Sequence, residues 1–369
     1  MKELLEQEFL KRFGTGGRPN VYFAGGRVNL IGEHIDYSGG KVFPCALALG
    51  TYVAVRRRGD GERIFQSVGV SDGWEKYPQA VLSAMRQAGI DFSGGFEVLV
   101  AGDLPLGAGL SSSASLEVAI AYALSDMFGL GISNKDIALL CQKAENDFVG
   151  VSCGIMDQFA VAMGKEGCAI YLDTHSLKYE HIPLAMEECE LLILDTKKSR
   201  KLSESKYNER RSECERALKC LQKRLDIEAL CELTEADFSA NAELIDDPVC
   251  LRRARHAVFE NRRVEEAVSL LGQGDMAAFG RLMNQSHFSL RDDYEVSCEE
   301  LDVLTDILRR QDGVLGARMT GAGFGGCVVA LVERDKAEAV ALLTLEEYRS
   351  IIGHEGACYR GVGGAPKRI

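Results

Sequence analysis

No apolar stretch in this chain is long and uninterrupted enough to cross a bilayer, which argues against a membrane-spanning helix. Positive charge is also in short supply. The formal net charge of -12 at pH 7 argues against nucleic acid or an anionic membrane as the main partner. A small anionic nucleotide remains compatible, because a pocket can be locally positive inside an acidic protein. The 12 cysteines contain no Cys-x-x-Cys pair. Their scatter speaks against a clustered zinc site and a disulfide scaffold, and for reduced structural cysteines in a cytoplasmic protein. No internal repeat or low-complexity tract appears. The first residues, Met1 to Glu6, are acidic and helical in pattern, unlike a signal peptide.

What is present is ordinary in bulk. At 369 residues, with 46% hydrophobic and 27% charged residues, the chain reads as a water-soluble globular protein of two domains. The spacing predicts an opening helix over Lys2 to Phe13 and strands over Thr51 to Arg56 and Phe96 to Ala101. A helix from about Ala114 to Phe128 is apolar on nearly every face and should be buried. Further helices are expected from about Asn134 to Phe148 and from about Ser203 to Lys223, with a strand at Leu191 to Leu194 between them. Leu301, Leu304, Ile307 and Leu308 mark one face of a later helix. Strands Val314 to Met319 and Cys327 to Val332 flank a glycine-rich connection. This mixture reads as α+β, with a boundary near residue 185 dividing domains 1–185 and 186–369.

Chemistry concentrates in four places. The run Gly26 to Tyr37 packs Arg27, Glu33, His34, Asp36 and Tyr37 between glycines, more polar groups than a turn needs. Gly107, Ala108, Gly109, Leu110, Ser111, Ser112 and Ser113 lead from a strand into a helix, where backbone N–H groups and the helix end can hold an anion. A tight turn with a serine cap explains that loop equally well when taken alone. It has neither the Gly-Lys-Ser/Thr of a Walker A loop nor the full Gly-x-Gly-x-x-Gly spacing. The second loop, Gly321 to Gly326, precedes a strand, the wrong order for a dinucleotide-binding turn, so it is either a β-connection or a close-approach loop. Asp157, in Cys153 to Phe159, is a carboxylate in apolar company, and Glu145 lies on the helix before it. Each could equally be a cap or turn residue.

The combination is far more specific. Arg27 through Tyr37, Pro105 through Ser115, Cys153 through Gln158 and Met319 through Gly326, in that order, resemble the galactokinases of the GHMP kinase superfamily. The resemblance spans nearly the whole chain. It implies a first domain like the second domain of ribosomal protein S5 and a ferredoxin-like second domain, with the site between them. It further implies transfer of the γ-phosphoryl group of ATP to the anomeric hydroxyl of D-galactose, giving galactose 1-phosphate and ADP. By the same resemblance Asp157 is the catalytic carboxylate and Arg27 its supporting charge. Glu33, His34, Asp36, Gly154 and Tyr207 hold the sugar, and the loop from Gly107 to Ser113 holds the triphosphate, with Ser67 near the nucleotide. Ser113 and Glu145 match the ligands of Mg²⁺, and the family expectation is a monomer.

Three departures stand out. Gly25-Gly26 replaces the usual Pro-Gly, Ile35 replaces a common threonine, and the stretch from Ser67 to Trp74 is short, which leaves the adenine side and Ser67 open. Two other readings compete with the first: a kinase for a related sugar, such as N-acetylgalactosamine or L-arabinose, and a galactose- and ATP-binding sensor without catalysis.

Overall fold

The computed structural model describes residues 1–70, 73–105, 107–184, 186–198 and 203–369. Leu106, just before the first glycine loop, part of the short 67–74 stretch and the expected boundary at residue 185 lie outside them. Among the described residues no helix is long and apolar enough to cross a membrane.

Among the described residues the chain forms a mixed α/β structure around two main sheets. The first has five strands in the order Lys367–Arg368, Asn20–Asn29, Pro44–Arg58, Gly95–Gly102 and Arg63–Ser67. All its pairings are antiparallel except the last. The second has four antiparallel strands, Ala357–Tyr359, Cys189–Asp195, Cys327–Glu333 and Val314–Thr320. A smaller sheet joins Lys41–Val42, Cys168–Asp173 and Tyr179–Pro183. The strand Lys367–Arg368 returns to the first sheet, so the chain crosses a simple division at 185.

Strand Asn20–Asn29 is buried along almost its whole length, and its register with Pro44–Arg58 slips between Gly25 and Arg27. The slip sets Gly26 alone against residues 47–49 of the partner strand, an irregularity that breaks the ladder just before Arg27. Glycine is required on both sides. A Cβ on Gly25 would stand 2.3 Å from the Leu47 carbonyl oxygen, and one on Gly26 would stand 2.5 Å from that of Leu110. The second approach lets the Arg27 N–H donate to Leu110 O at 3.1 Å, so the first glycine loop is fastened to the strand that carries Arg27.

Helix Ser112–Phe128 supports that loop from below and is buried as its composition predicts. Ser115 ties it to the sheet: its hydroxyl donates to Ala24 O at 2.9 Å and accepts from Thr51 N–H at 3.0 Å. In the second half, helix Met276–Asp292 lies directly on strand Val314–Thr320. A Cβ on Gly280 would meet Leu315 O at 2.3 Å, so only glycine permits that contact. One continuous apolar core runs through both halves, taking in Val28 and Leu30 on one side and Leu192 and Met319 on the other.

Candidate active site

Asp157 stands in the first turn of helix Met156–Met163, where the helix end favours negative charge. Arg27, which follows the register slip, meets it with a two-pronged contact: Nε donates to Oδ1 at 2.9 Å and Nη2 to Oδ2 at 3.0 Å. The third arginine nitrogen donates to Gly109 O at 2.6 Å, tying the pair to the first glycine loop. Ser111 completes the cluster. Its hydroxyl donates to Asp157 Oδ2 at 2.5 Å and caps no helix N–H, although the residue occupies the N-cap position. Ser111 holds a left-handed backbone, φ 58°, unusual for a side chain other than glycine.

The run Gly32 to Tyr37 forms the opposite wall. Glu33 is buried, and its Oε1 accepts from Gly321 N–H at 2.6 Å and from the Thr320 hydroxyl at 2.9 Å. His34, also left-handed at φ 60°, bonds Ala322 O through Nε2 at 3.1 Å and the Tyr37 hydroxyl through Nδ1 at 2.8 Å. Burial pushes its imidazole down to about 3, so it is neutral. A neutral ring that donates from Nε2 to a carbonyl must accept at Nδ1, which makes Tyr37 the donor there. Both nitrogens of His34 are therefore engaged by protein. Asp36 accepts from the backbone N–H groups of Met156 at 3.3 Å and Tyr37 at 3.1 Å. Its carboxyl is pushed up to about 7, by burial first and then by the neighbouring Asp157 charge. Gly154 has no room for a side chain: a Cβ there would lie 2.2 Å from the Asp36 carboxyl carbon.

Glu145 begins a short π-helical turn, Glu145–Val149, that ends helix Asn134–Ala144 within the stretch expected as continuous helix. Such turns re-aim side chains at functional sites. Its carboxylate accepts from Gln158 Nε2 at 2.6 Å and lies beside the Ser113 side chain. Burial, and then Asp157, push it up to about 7.

These groups face one cavity of about 210 Å³, lined among others by Arg27, Glu33, Asp36, Ser113, Glu145 and Asp157. His34, Gly154, Tyr207, Gly107, Gly109, Ser111 and Ser112 also line it. Ala108 and Leu110 turn their side chains into the core, leaving backbone to the loop. Ser67 lines neither this cavity nor its neighbour; its carbonyl accepts from Arg12 at 3.1 Å. The neighbouring cavity, about 120 Å³, shares Tyr77, Ser112 and Ser113 with the first and is walled by Val70, Trp74 and Leu104. Sequence reasoning missed Tyr77 and met Trp74 only as the end of the short stretch whose role it left open. Gln158 was visible in its motif, but nothing there marked its amide as the partner of Glu145.

Three family models match. The galactokinase galactose-binding signature covers residues 7–57, the GHMP kinases N terminal domain 76–165 and the GHMP kinases C terminal domain 267–342. Galactokinase from Clostridium beijerinckii is 48% identical over 96% of both chains. The chain belongs to the galactokinase family. It is a sugar kinase, a phosphotransferase that uses ATP, with the two-domain GHMP kinase fold. Galactokinase from Lactiplantibacillus plantarum is 45% identical over 99% of both chains. The crystal structure of Lactococcus lactis galactokinase complexed with galactose superposes with a TM-score of 0.96, at 41% identity over 100% of both chains. L. major mevalonate kinase, at 21% identity and a TM-score of 0.63 over 96% of this chain and 98% of its own, shares the fold.

Proposed function

We propose that the larger cavity holds D-galactose with its anomeric hydroxyl against Asp157, and that the loop from Gly107 to Ser113 holds the phosphates of ATP. The observation that carries this reading is the Arg27–Asp157 pair. It stands between a wall of hydroxyl acceptors and a loop of backbone N–H groups, and Arg27 touches both Asp157 and Gly109. Glu33 and Asp36 accept sugar hydroxyls, Tyr207 and Gly154 shape the pocket, and His34 braces the wall. Tyr77 and Trp74 border the nucleotide side.

In the reaction, the anomeric oxygen forms a bond to the γ-phosphorus as the bond from that phosphorus to the β-bridging oxygen breaks. Asp157 takes the hydroxyl proton, a contribution of about 10²–10⁴-fold for a placed base. Arg27 lies beside the developing phosphoryl charge, and positioning with electrostatics supplies most of the remaining acceleration. The donor set fits Mg²⁺. Among the described residues no group of three or more His, Cys, Asp or Glu could hold a metal alone. A Ser113 hydroxyl next to the Glu145 carboxylate suits a cation that takes one or two protein oxygens and completes its shell with phosphate and water. When bound there it would neutralise phosphate charge. All twelve cysteines are free, which suits a reducing cytoplasm, and we propose a monomer as the working unit.

A coupled ADP-release assay over hexoses and pentoses, with and without Mg²⁺, tests the reading. The expected result is Mg²⁺-dependent turnover with the highest kcat/KM on D-galactose. A higher value on N-acetylgalactosamine or L-arabinose would overturn the substrate assignment.

A further inference from the structure

Arg318 lies on strand Val314–Thr320, is completely buried and lines neither cavity of the site. Its Nη1 donates to Asn29 O at 2.9 Å, joining the last residue of the Arg27-bearing strand to the second domain. Its Nη2 stands 3.7 Å from Glu33 Oε1, with side-chain exposures of 0% and 2% for the pair. That same carboxylate oxygen takes the Gly321 and Thr320 bonds. A second buried carboxylate, Glu260, faces the arginine from helix Pro248–Gln273, and accepts from Gly32 N–H at 3.0 Å and Arg263 Nε at 2.6 Å. The residues on either side of the Gly32–Glu33 peptide link are thus held by a charge network whose other members, Arg318, Glu260 and Arg263, line neither cavity.

We infer that Arg318 is a positioning residue for sugar recognition, acting through the charge it sets beside Glu33 while its hydrogen bond anchors Asn29. A carboxylate this buried needs an opposite charge nearby, and Arg318 supplies it from the side away from the cavity. With Oε1 pinned by the second domain, Oε2 is the oxygen left to meet a sugar hydroxyl. The planar guanidinium hydrogen-bonds Asn29 O through Nη1 and faces Glu33 with Nη2 at 3.7 Å, an ion-pair contact and not a hydrogen bond; a lysine ammonium cannot span both with the same geometry. The inference rests on the reading of Glu33 as a sugar ligand.

The test is a double-mutant cycle on the full chain with separate KM values for galactose and ATP. Arg318→Met should raise the galactose KM by about tenfold or more and leave the ATP KM within about twofold. Arg318→Lys should fall between wild type and Arg318→Met. In a Glu33→Gln background, Arg318→Met should add little. Equal rises in both KM values, an unchanged galactose KM in a folded variant, or penalties that multiply in the double variant would overturn the inference. If Arg318→Met does not fold, Arg318→Lys carries the same test. An unchanged galactose KM in Glu33→Gln alone would instead sink the reading of Glu33.

Discussion

Arg27 grips Asp157 through two nitrogens and two oxygens, at 2.9 and 3.0 Å, while its remaining nitrogen holds the first glycine loop at Gly109 O. A lysine could reach one oxygen but could not reproduce the fork. Arg27→Lys should therefore lower kcat by about 10²-fold and leave the galactose KM within a few-fold. Asp157→Ala should abolish turnover in a folded protein. Steady-state kinetics with a circular dichroism control checks both, and near-normal rates in Asp157→Ala would sink the base assignment.

Ser111 spends its hydroxyl on Asp157 and sits in a backbone region that favours glycine. Ser111→Ala should lose about tenfold in kcat through the missing hydrogen bond. Ser111→Gly should lose a similar amount yet melt at a higher temperature than Ser111→Ala, because glycine tolerates the left-handed backbone. Equal melting temperatures would mean that the backbone carries no strain there.

As a proposed sugar ligand raised to about 7 in the free site, Asp36 should give sugar binding a pH dependence. The ionised form accepts hydroxyl hydrogen bonds, so the galactose Kd should weaken from about pH 8 to about pH 6, by at most about tenfold per unit. Asp36→Asn should flatten that profile. Stability has the complementary sign. A carboxyl raised from 3.8 in the folded state opposes folding increasingly as pH rises towards 7. Asp36→Asn should therefore gain more in Tm at about pH 8 than at about pH 5. Calorimetry of binding and of melting reads both.

Gly154 leaves no space for a methyl group beside the Asp36 carboxyl. Gly154→Ala should displace Asp36, raise the galactose KM by about tenfold or more and cost about 1–3 kcal/mol of stability. A variant with wild-type affinity would place Asp36 outside the sugar contacts.

The legible parts of the fold were those where one pattern dominates. Helix Ser112–Phe128 announced itself by apolar residues on all faces, and Lys2–Phe13 and Cys327–Glu333 lie close to where the spacing put them. Strand Pro44–Arg58 is far longer than the stretch from Thr51 to Arg56, because Pro44 and Gly50 read as breakers while the sheet accommodates them. Helices Pro248–Gln273 and Met276–Asp292 went unread. Their buried faces carry Arg253, His256, Glu260, Asn261, Ser286 and His287, so polar groups occupy the positions where an apolar period would show. At the site, the clustered motifs named most of the lining residues. Tyr77 and Arg318 gave no local signal, since what they do depends on partners brought together only by the fold.

Glu33 and Gly321 are 288 residues apart in the chain and 2.6 Å apart in space. Closing so long a loop comes late, after local helices and hairpins have formed. During refolding, helical and sheet signals should rise first, and the capacity to phosphorylate sugar should follow as a separate, slower event. A partly folded chain in which only the N-terminal strands have paired would still lack the oxygen geometry that the second half supplies, so activity in this protein should report on a late step of its assembly.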